Sequence, residues 1–252
     1  MRTKGHLKRS TPEHPLFSIV TVVYNGEQHL EQTIRSVLNQ NYDNIEYIII
    51  DGASVDGTLQ IIRKYEDAID YWVSEPDNGI YDAMNKGLQC ATGDYIGFIN
   101  ADDWYEPDAL AHIAESARKN GADFLSAKIR VIDEAGRGVV RAGHFEDWGK
   151  NLHHQSSFVR LSLHKRFPFD VRFRYAADRD FFVRMLKQGV STAFVDTVVA
   201  NFREGGAGSG LLAYQGELFY SNLKNVGLRF ALRRYFINTV GRTLFNWFHV
   251  KR

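Results

Sequence analysis

A single cysteine, Cys90, stands in 252 residues, so no internal disulfide can form and a reducing compartment is the natural setting. It falls near the apolar side of an expected helix and reads as a small buried hydrophobe rather than a nucleophile. No apolar run approaches the ~18 residues that span a bilayer. Residues 1–15 lack the apolar segment of a secretory signal, so the expected location is cytoplasmic or peripheral on the cytosolic face of a membrane. No G-x-G-x-x-G loop follows the opening strand, which argues against a dinucleotide cofactor. Internal repeats and low-complexity tracts are missing too. Net charge is nearly absent, at +1.

The charge that is present is unevenly placed. Residues 1–15 net +3 and residues 211–252 net +6, which leaves −8 on residues 16–210. An acidic body with basic ends points to a metal for the body and a polyanionic surface for the tail. No nucleic-acid partner is expected. With 44% hydrophobic and 24% charged residues, the composition is ordinary for a globular domain with a sizeable core.

Phe17 to Tyr24 is β-branched and mostly apolar, the pattern of a strand covered on both faces. A helix with Leu30, Ile34, Val37 and Leu38 on one side follows, then a second buried strand at Glu46 to Ile50. The alternation continues with a helix from Gly57 to about Tyr65, a strand at Asp70 to Val73 and a helix over Gly79 to Ala91. A strand at Tyr95 to Ile99 and a helix at Pro107 to Lys119 complete it, stopped by Asn120-Gly121. Such alternation argues for a Rossmann-like α/β fold, with a mostly parallel central sheet flanked by helices. Near residue 122 the pairing becomes mixed, with a hairpin at Asp123 to Ile132 and Gly138 to Ala142 and a strand region at Val190 to Asn201. The expected units are a loose basic arm (1–15), a domain (16–210, with halves at about 16–122 and 123–210) and a helical tail (211–252). Glu204 to Gly210 reads as a mobile loop.

The stretch from Ser74 to Tyr105 organises the rest, because it ends a buried strand on Asn100, Ala101, Asp102 and Asp103. Ligands of open α/β sheets sit at the carboxyl ends of strands, and adjacent carboxylates there suit a hard cation such as Mg2+ or Mn2+. They could equally cap the helix opened by Glu106-Pro107-Asp108. Asp51 and Asp56 follow the second strand, with Thr21 and Tyr24 at the end of the first, so these side chains converge on one pocket where a carboxylate accepts from ribose or base. For Asp56, capping before Gly57-Thr58 serves as well. Asp178, with Asp180 beyond it, heads a helix and is stabilised there by the dipole. His153-His154-Gln155 lacks further metal ligands at suitable spacing, so a structural or acceptor-side role is the better reading.

The succession FSIVTVVYNGEQHLEQTIRSVLNQNYDNIEYIIIDGASVDGT, then SEPDNGIYDAMNKGLQCATGDYIGFINADD, resembles family-2 inverting glycosyltransferases of the GT-A fold, most closely the bacterial polysaccharide and capsule branch. The resemblance covers roughly residues 16–200. It implies a nucleotide-diphosphate sugar, UDP-linked as the commonest choice, in the amino-terminal half. Asp51 would meet the nucleoside beside Thr21 and Tyr24, with Lys86 near the phosphates. The acidic tip would bind Mn2+ or Mg2+ through Asp102 or Asp103, since Asn100 replaces the first aspartate of the family's Asp-x-Asp. AADRDFF puts Ala177 where a glutamate usually stands and Asp178 on the catalytic base. His154 and Gln155 would lie near the acceptor, a saccharide or polyprenyl-linked saccharide.

The tail interleaves Leu218-Phe219, Phe230, Tyr235-Phe236, Leu244-Phe245, Trp247 and Phe248 with cations, the pattern of an interfacial helix on anionic lipid. Packing on the core or in a homodimer stands beside that reading. Two rival functions remain at this point: a sugar-phosphate nucleotidyltransferase, which wants a glycine- and basic-rich loop after the first strand, and a nucleotide-sugar-binding module without turnover.

Overall fold

The computed structural model describes residues 8–149, 151–205 and 211–237. Its first half follows the expected alternation: β1 (Phe17–Val23), α1 (Leu30–Leu38), β2 (Ile45–Asp51), α2 (Thr58–Lys64), β3 (Tyr71–Ser74), α3 (Ile80–Cys90), β4 (Tyr95–Phe98). A two-residue β5 (Trp104–Tyr105) and α4 (Ala109–Asn120) follow. The second half holds β6 (Phe124–Ile132), β7 (Gly138–Arg141), α5 (Glu146–Gly149), β8 (Ser157–Arg160), α6 (Leu161–Arg166), α7 (Ala177–Lys187), β9 (Thr192–Arg203) and α8 (Leu211–Asn225). A further helical segment runs over 228–237.

Nine strands among the described residues form one sheet, in the order β3-β2-β1-β4-β8-β6-β9-β5 with β7 on β6. β3, β2, β1 and β4 are parallel, whereas β8 runs antiparallel to both β4 and β6. The change of hand falls where the sequence turns from regular alternation to the hairpin of β6 and β7. The sheet is therefore mixed around a parallel core.

Every residue of β1 is buried, because it has helices on both sides. Phe17, Ile19 and Val23 face one apolar cluster with Leu30, Ile34 and Val37 of α1 and Leu110 and Ile113 of α4. Val20 and Val22 face the other, with Met84 and Leu88 of α3 and Phe181, Phe182 and Met185 of α7. This period-two split makes a three-layer α/β/α body. Gly87 lets α3 sit close to β1, since a Cβ there would lie 2.4 Å from Val20 Cγ1. Gly121, at φ 59°, stops α4 in the left-handed conformation that the Asn-Gly pair predicted.

Residues 8–15 are not a loose arm. Lys8 pairs with Asp70, Asn44 Nδ2 donates to the carbonyls of Arg9 and His14 at 3.1 and 2.8 Å, and Tyr42 donates to Pro15 O. The tail divides as well: α8 packs on α7, while 238–252, including Leu244, Phe245, Trp247 and Phe248, lies outside the described residues. Residues 206–210 of the glycine loop lie outside them too. No helix among the described residues is long and apolar enough to cross a membrane. Cys90 is half-buried, and burial raises its thiol above the ordinary value.

Candidate active site

The exits of β1 and β2 are stitched together by their own polar side chains. In register, Val23 pairs with Asp51, so both loops leave the sheet side by side. Asn25 and Ala53 hold left-handed backbones, at φ 49° and 63°, which turn the loops toward each other. Asn25 N donates to Ser54 Oγ at 2.7 Å, and Asn25 Oδ1 accepts from Val55 N at 3.0 Å. The fully buried Asp51 accepts from Ser54 N at 3.0 Å and from the hydroxyls of Ser54 and Ser74, tying in the end of β3. Asp56 accepts from Thr58 N and Glu27 N at 3.0 and 3.1 Å; burial would raise its carboxyl, but these bonds and the Thr58 hydroxyl hold it below the ordinary value. Asp56 thus ties the loop after β1 to the head of α2.

Tyr24 is 65% exposed at the mouth of this loop pair. A Cβ on Gly52 would lie 2.5 Å from Asp77 Oδ2 and 3.4 Å from Tyr24 Cδ2, so the bare glycine backbone is flanked by a ring and a carboxylate. Asp77 was not singled out in the sequence. The Asp-x-Gly spacing Asp77-Asn78-Gly79 is its only local signal, and Asp77 Oδ1 accepts from Gly79 N at 2.8 Å. Thr21 does not join the mouth. It is fully buried, 3.1 Å from the Tyr47 hydroxyl, because residue 21 falls on the face of β1 shared by Ile19 and Val23, which α1 and α4 cover. Lys86 ion-pairs with Glu75 at 2.8 Å and donates to Pro76 O at 2.8 Å, and the Glu75 bond raises its pKa. It staples the 75–78 loop.

The acidic tip beyond β4 separates its two aspartates. Asp103 is fully buried and accepts from Gln155 Nε2 at 2.9 Å and Arg203 N at 3.0 Å. Burial, then the neighbouring Asp102 charge, pushes its carboxyl well above the usual range. Asp102 is only half-buried and has no hydrogen-bond or ion-pair partner among the described residues. Thr33 of α1 gathers the tip, with its hydroxyl 2.9 Å from Ala101 O and 2.6 Å from Asp103 O. Asn100 Oδ1 is buried with no partner among the described residues. The donor set left open is thus one carboxylate and one orphaned amide oxygen, hard oxygens that fit a divalent cation completing its shell from phosphates and water. No cluster of three or more His, Cys, Asp or Glu that could hold a metal alone occurs among the described residues.

Opposite lies the head of α7. Glu217 of α8 accepts the backbone N–H groups of Arg174, Tyr175 and Ala176 at 2.9, 2.8 and 2.9 Å, an external cap for the turn that leads into the helix. Asp178 then presents its carboxylate from the first turn. Oδ1 accepts from Arg179 N at 2.8 Å and lies 3.1 Å from the Tyr81 hydroxyl; Oδ2 lies 3.3 Å from His154 Nδ1. Burial pulls its pKa up, but the hydrogen bond and charge of His154, with Arg179, outweigh it and set the carboxyl below its ordinary value. His154 Nε2 has no partner among the described residues, and its neighbour His153 is held neutral by burial, down to about 4. Asp180 points away, bonding Arg184 at 2.7 Å and Ser221 and Asn225 of α8.

His154 and Gln155 begin one 3-10 turn (His154–Ser156) and look opposite ways, one to Asp178 and the other to Asp103. The sequence placed both at the acceptor. The structure leaves Gln155 2% exposed behind the tip. Asp178 itself borders a cavity of about 240 Å3, lined by His153, Arg141, Arg179, Tyr214, Gln215 and Arg234 among others.

A mixed sheet around a parallel core, covered by helices on both faces, with an acidic tip at the end of a parallel strand, is the architecture of the GT-A fold. The family model for glycosyl transferase family 2 matches residues 18–188. The chain belongs to that family. It is 32% identical over 221 residues to an uncharacterized glycosyltransferase of Mycobacterium tuberculosis, covering 81% of this chain and 84% of the relative. A PGL/p-HBAD biosynthesis glycosyltransferase of the same organism is 30% identical, covering 76% and 78%. Among solved structures, S. aureus TarS 1-349 in complex with UDP-GlcNAc superposes at a TM-score of 0.69 with 20% identity, over 83% of this chain and 66% of that one. The mannosyltransferase PcManGT of Pyrobaculum calidifontis, in complex with GDP-Man and Mn2+, gives 0.61 with 18% identity, over 92% and 66%.

Proposed function

We propose that the protein is an inverting glycosyltransferase that moves a sugar from a nucleotide-diphosphate donor, a UDP-sugar, to a hydroxyl of a saccharide or lipid-linked saccharide. The observation that carries the reading is the placement of Asp178: oriented on both oxygens, bordering a polar cavity, and joined to the acidic tip through two consecutive residues.

Tyr24, Asp51 and the Gly52–Asp77 corner take the nucleoside, with Asp51 shaping the loop from below. The acceptor hydroxyl attacks the anomeric carbon on the face opposite the diphosphate. Its proton passes to Asp178, the new C–O bond forms, and the old one leaves with its electron pair on the nucleoside diphosphate. One displacement inverts the configuration. A carboxyl set below its ordinary value is ionised at neutral pH, so the base needs no prior deprotonation. His154 and Tyr81 fix the carboxylate, and desolvation around it strengthens its pull on the incoming proton. Asp102 and Asn100 would hold a divalent cation, Mn2+ or Mg2+, which would balance the charge gathering on the departing diphosphate. Asp103 and Gln155 support that loop from behind.

The outer segment at 228–237 exposes Leu228, Leu232, Phe236 and Ile237 among Arg229, Arg233 and Arg234. Apolar side chains among cations suit the headgroup region of an anionic membrane, and a peripheral location follows from this reading.

The test is thermal stabilisation by a panel of nucleoside diphosphates and nucleotide sugars, with and without Mn2+. One base is expected to stabilise, with metal required. No shift by any nucleotide with metal present would overturn the reading.

A further inference from the structure

The corner over Gly52 holds a carboxylate oxygen that the fold leaves unspent. Asp77, half-buried in the loop between β3 and α3, accepts from Gly79 N through Oδ1 at 2.8 Å. Its Oδ2 faces Gly52, 2.5 Å from where a Cβ there would sit, and has no hydrogen-bond or ion-pair partner among the described residues. The loop around it is pinned. Glu75 N donates to Asp51 O at 3.0 Å, Asn78 N to Asp82 Oδ2 at 2.9 Å, and Gly79 holds its turn at φ 109°, a conformation that favours glycine. Lys86 feels the charge of Asp77 but is held by Glu75 and Pro76 O, at 2.8 Å each.

Asp51, the carboxylate that the resemblance puts on the nucleoside, is in the opposite condition. Its two oxygens accept from Ser54 N and from the hydroxyls of Ser54 and Ser74, and the residue is fully buried, so no ligand atom touches it in this arrangement. The second wall of the corner is Tyr24, whose Cδ2 lies 3.4 Å from the same Gly52 Cβ position and whose ring is exposed. An open aromatic face stacks on any flat base. Stacking gives affinity without choice, and the choice falls to whatever meets the edge of the base.

We propose that Asp77 selects the base of the donor: its Oδ2 accepts the N3–H of a uracil stacked on Tyr24, and Asp51 makes no contact with the base. This rests on the reading of the corner as the nucleoside site. A carboxylate oxygen only accepts, so it suits a ring nitrogen that carries a proton. Cytosine and adenine present a lone pair at the corresponding ring nitrogen and are repelled. Guanine offers two N–H groups side by side, which ask for both carboxylate oxygens, and Oδ1 is already committed to Gly79 N. Uracil needs one acceptor, and one is open.

Calorimetric titration of the full chain in Mn2+ with UDP, GDP, CDP, ADP and N3-methyl-UDP reads the choice. UDP is expected to bind at least about tenfold more tightly than the other four. The N3-methyl analogue removes the one proton in question, so it tests the contact on the unaltered protein. Asp77→Asn keeps an acceptor for Gly79 N and turns an N–H donor toward the ring. In that variant UDP should weaken at least about tenfold and CDP should become the tighter ligand, because the amide now meets the N3 lone pair of cytosine. Asp77→Ala should bind UDP and N3-methyl-UDP equally. UDP binding that survives N3-methylation, a first preference for another base, or a preference left unchanged by Asp77→Asn overturns the proposal. Failure of every nucleoside diphosphate to bind would instead overturn the donor site itself.

Discussion

Gln155 Nε2 donates to Asp103 Oδ2 at 2.9 Å, closing a link across 52 residues of chain. Because His154 next to it faces Asp178, a single short turn sets the acidic tip and the head of α7 in register. Two functions that the sequence keeps far apart share one hinge point.

The two tip aspartates should fail in different ways. Asp102→Ala is expected to remove the metal-dependent stabilisation by nucleotide with little change in the melting temperature of the ligand-free protein. Asp103→Ala leaves Gln155 and the Arg203 N–H without an acceptor and should cost about 1–3 kcal/mol for each buried group left unpaired. Paired melts of both variants, with and without nucleotide and Mn2+, read the difference; equal melting temperatures without ligand would contradict it.

Asp178→Asn should lower kcat by about 10²–10⁴-fold and leave nucleotide binding intact. His154→Leu removes the hydrogen bond that lowers the Asp178 pKa, so the acid limb of kcat/KM should move to higher pH. An unmoved limb would show that another group sets it.

Glu217→Ala strips the cap from three amides ahead of α7. A loss of about 1–2 kcal/mol is expected, the usual scale for a helix cap. Because Asp178 sits one turn on, kcat should fall as well, and Glu217→Gln should restore part of both. Urea melts with parallel rate measurements test the coupling.

His164 is fully buried against Phe181, with ring centroids 4.0 Å apart, and burial holds it neutral down to about 3. The unfolded chain takes up a proton near pH 6.5, the folded one only far below. Stability must therefore fall as pH drops through that window, by on the order of a few kcal/mol. Denaturant midpoints between pH 7 and 4 should show it, with a flatter profile for His164→Phe.

Leu232→Glu with Phe236→Glu places charge on side chains that are 41% and 60% exposed, so folding should survive. Sedimentation with anionic vesicles should drop sharply, while neutral vesicles capture neither form. Retained binding to the anionic vesicles would remove the membrane role from this segment.

The parallel core was readable because its strands are continuous apolar runs and its helices end on plain signals such as Asn120-Gly121. The carboxylate at residue 178 read locally only as a cap at a helix head, and it was the family resemblance that singled it out. Less could be said of Thr21, since a fully buried strand has no polar-apolar alternation to tell the inward phase from the outward one. Gln155 read as a structural or acceptor-side residue; its burial depends on Asp103, 52 residues earlier, a pairing that no local pattern encodes. The cap from Glu217, the Gly52–Asp77 corner and the arginine-lined cavity arise the same way, from chain segments that meet only after folding. Residues 8–15 read as loose because they are basic and polar, yet Lys8 finds Asp70 across the surface.

The clasp of Glu217 on the turn before α7 also changes what the carboxyl-terminal part of the chain is. The helix that carries it continues toward the basic, apolar outer segment, so a force applied there is delivered to the peptide units just ahead of Asp178. Anything attached to that end, whether a bilayer, a resin or a fused domain, pulls on the same cord. The outer segment at 228–237 is thus a handle on the proposed base, and the protein tethered there is expected to run at a different rate from one tethered at residues 8–15.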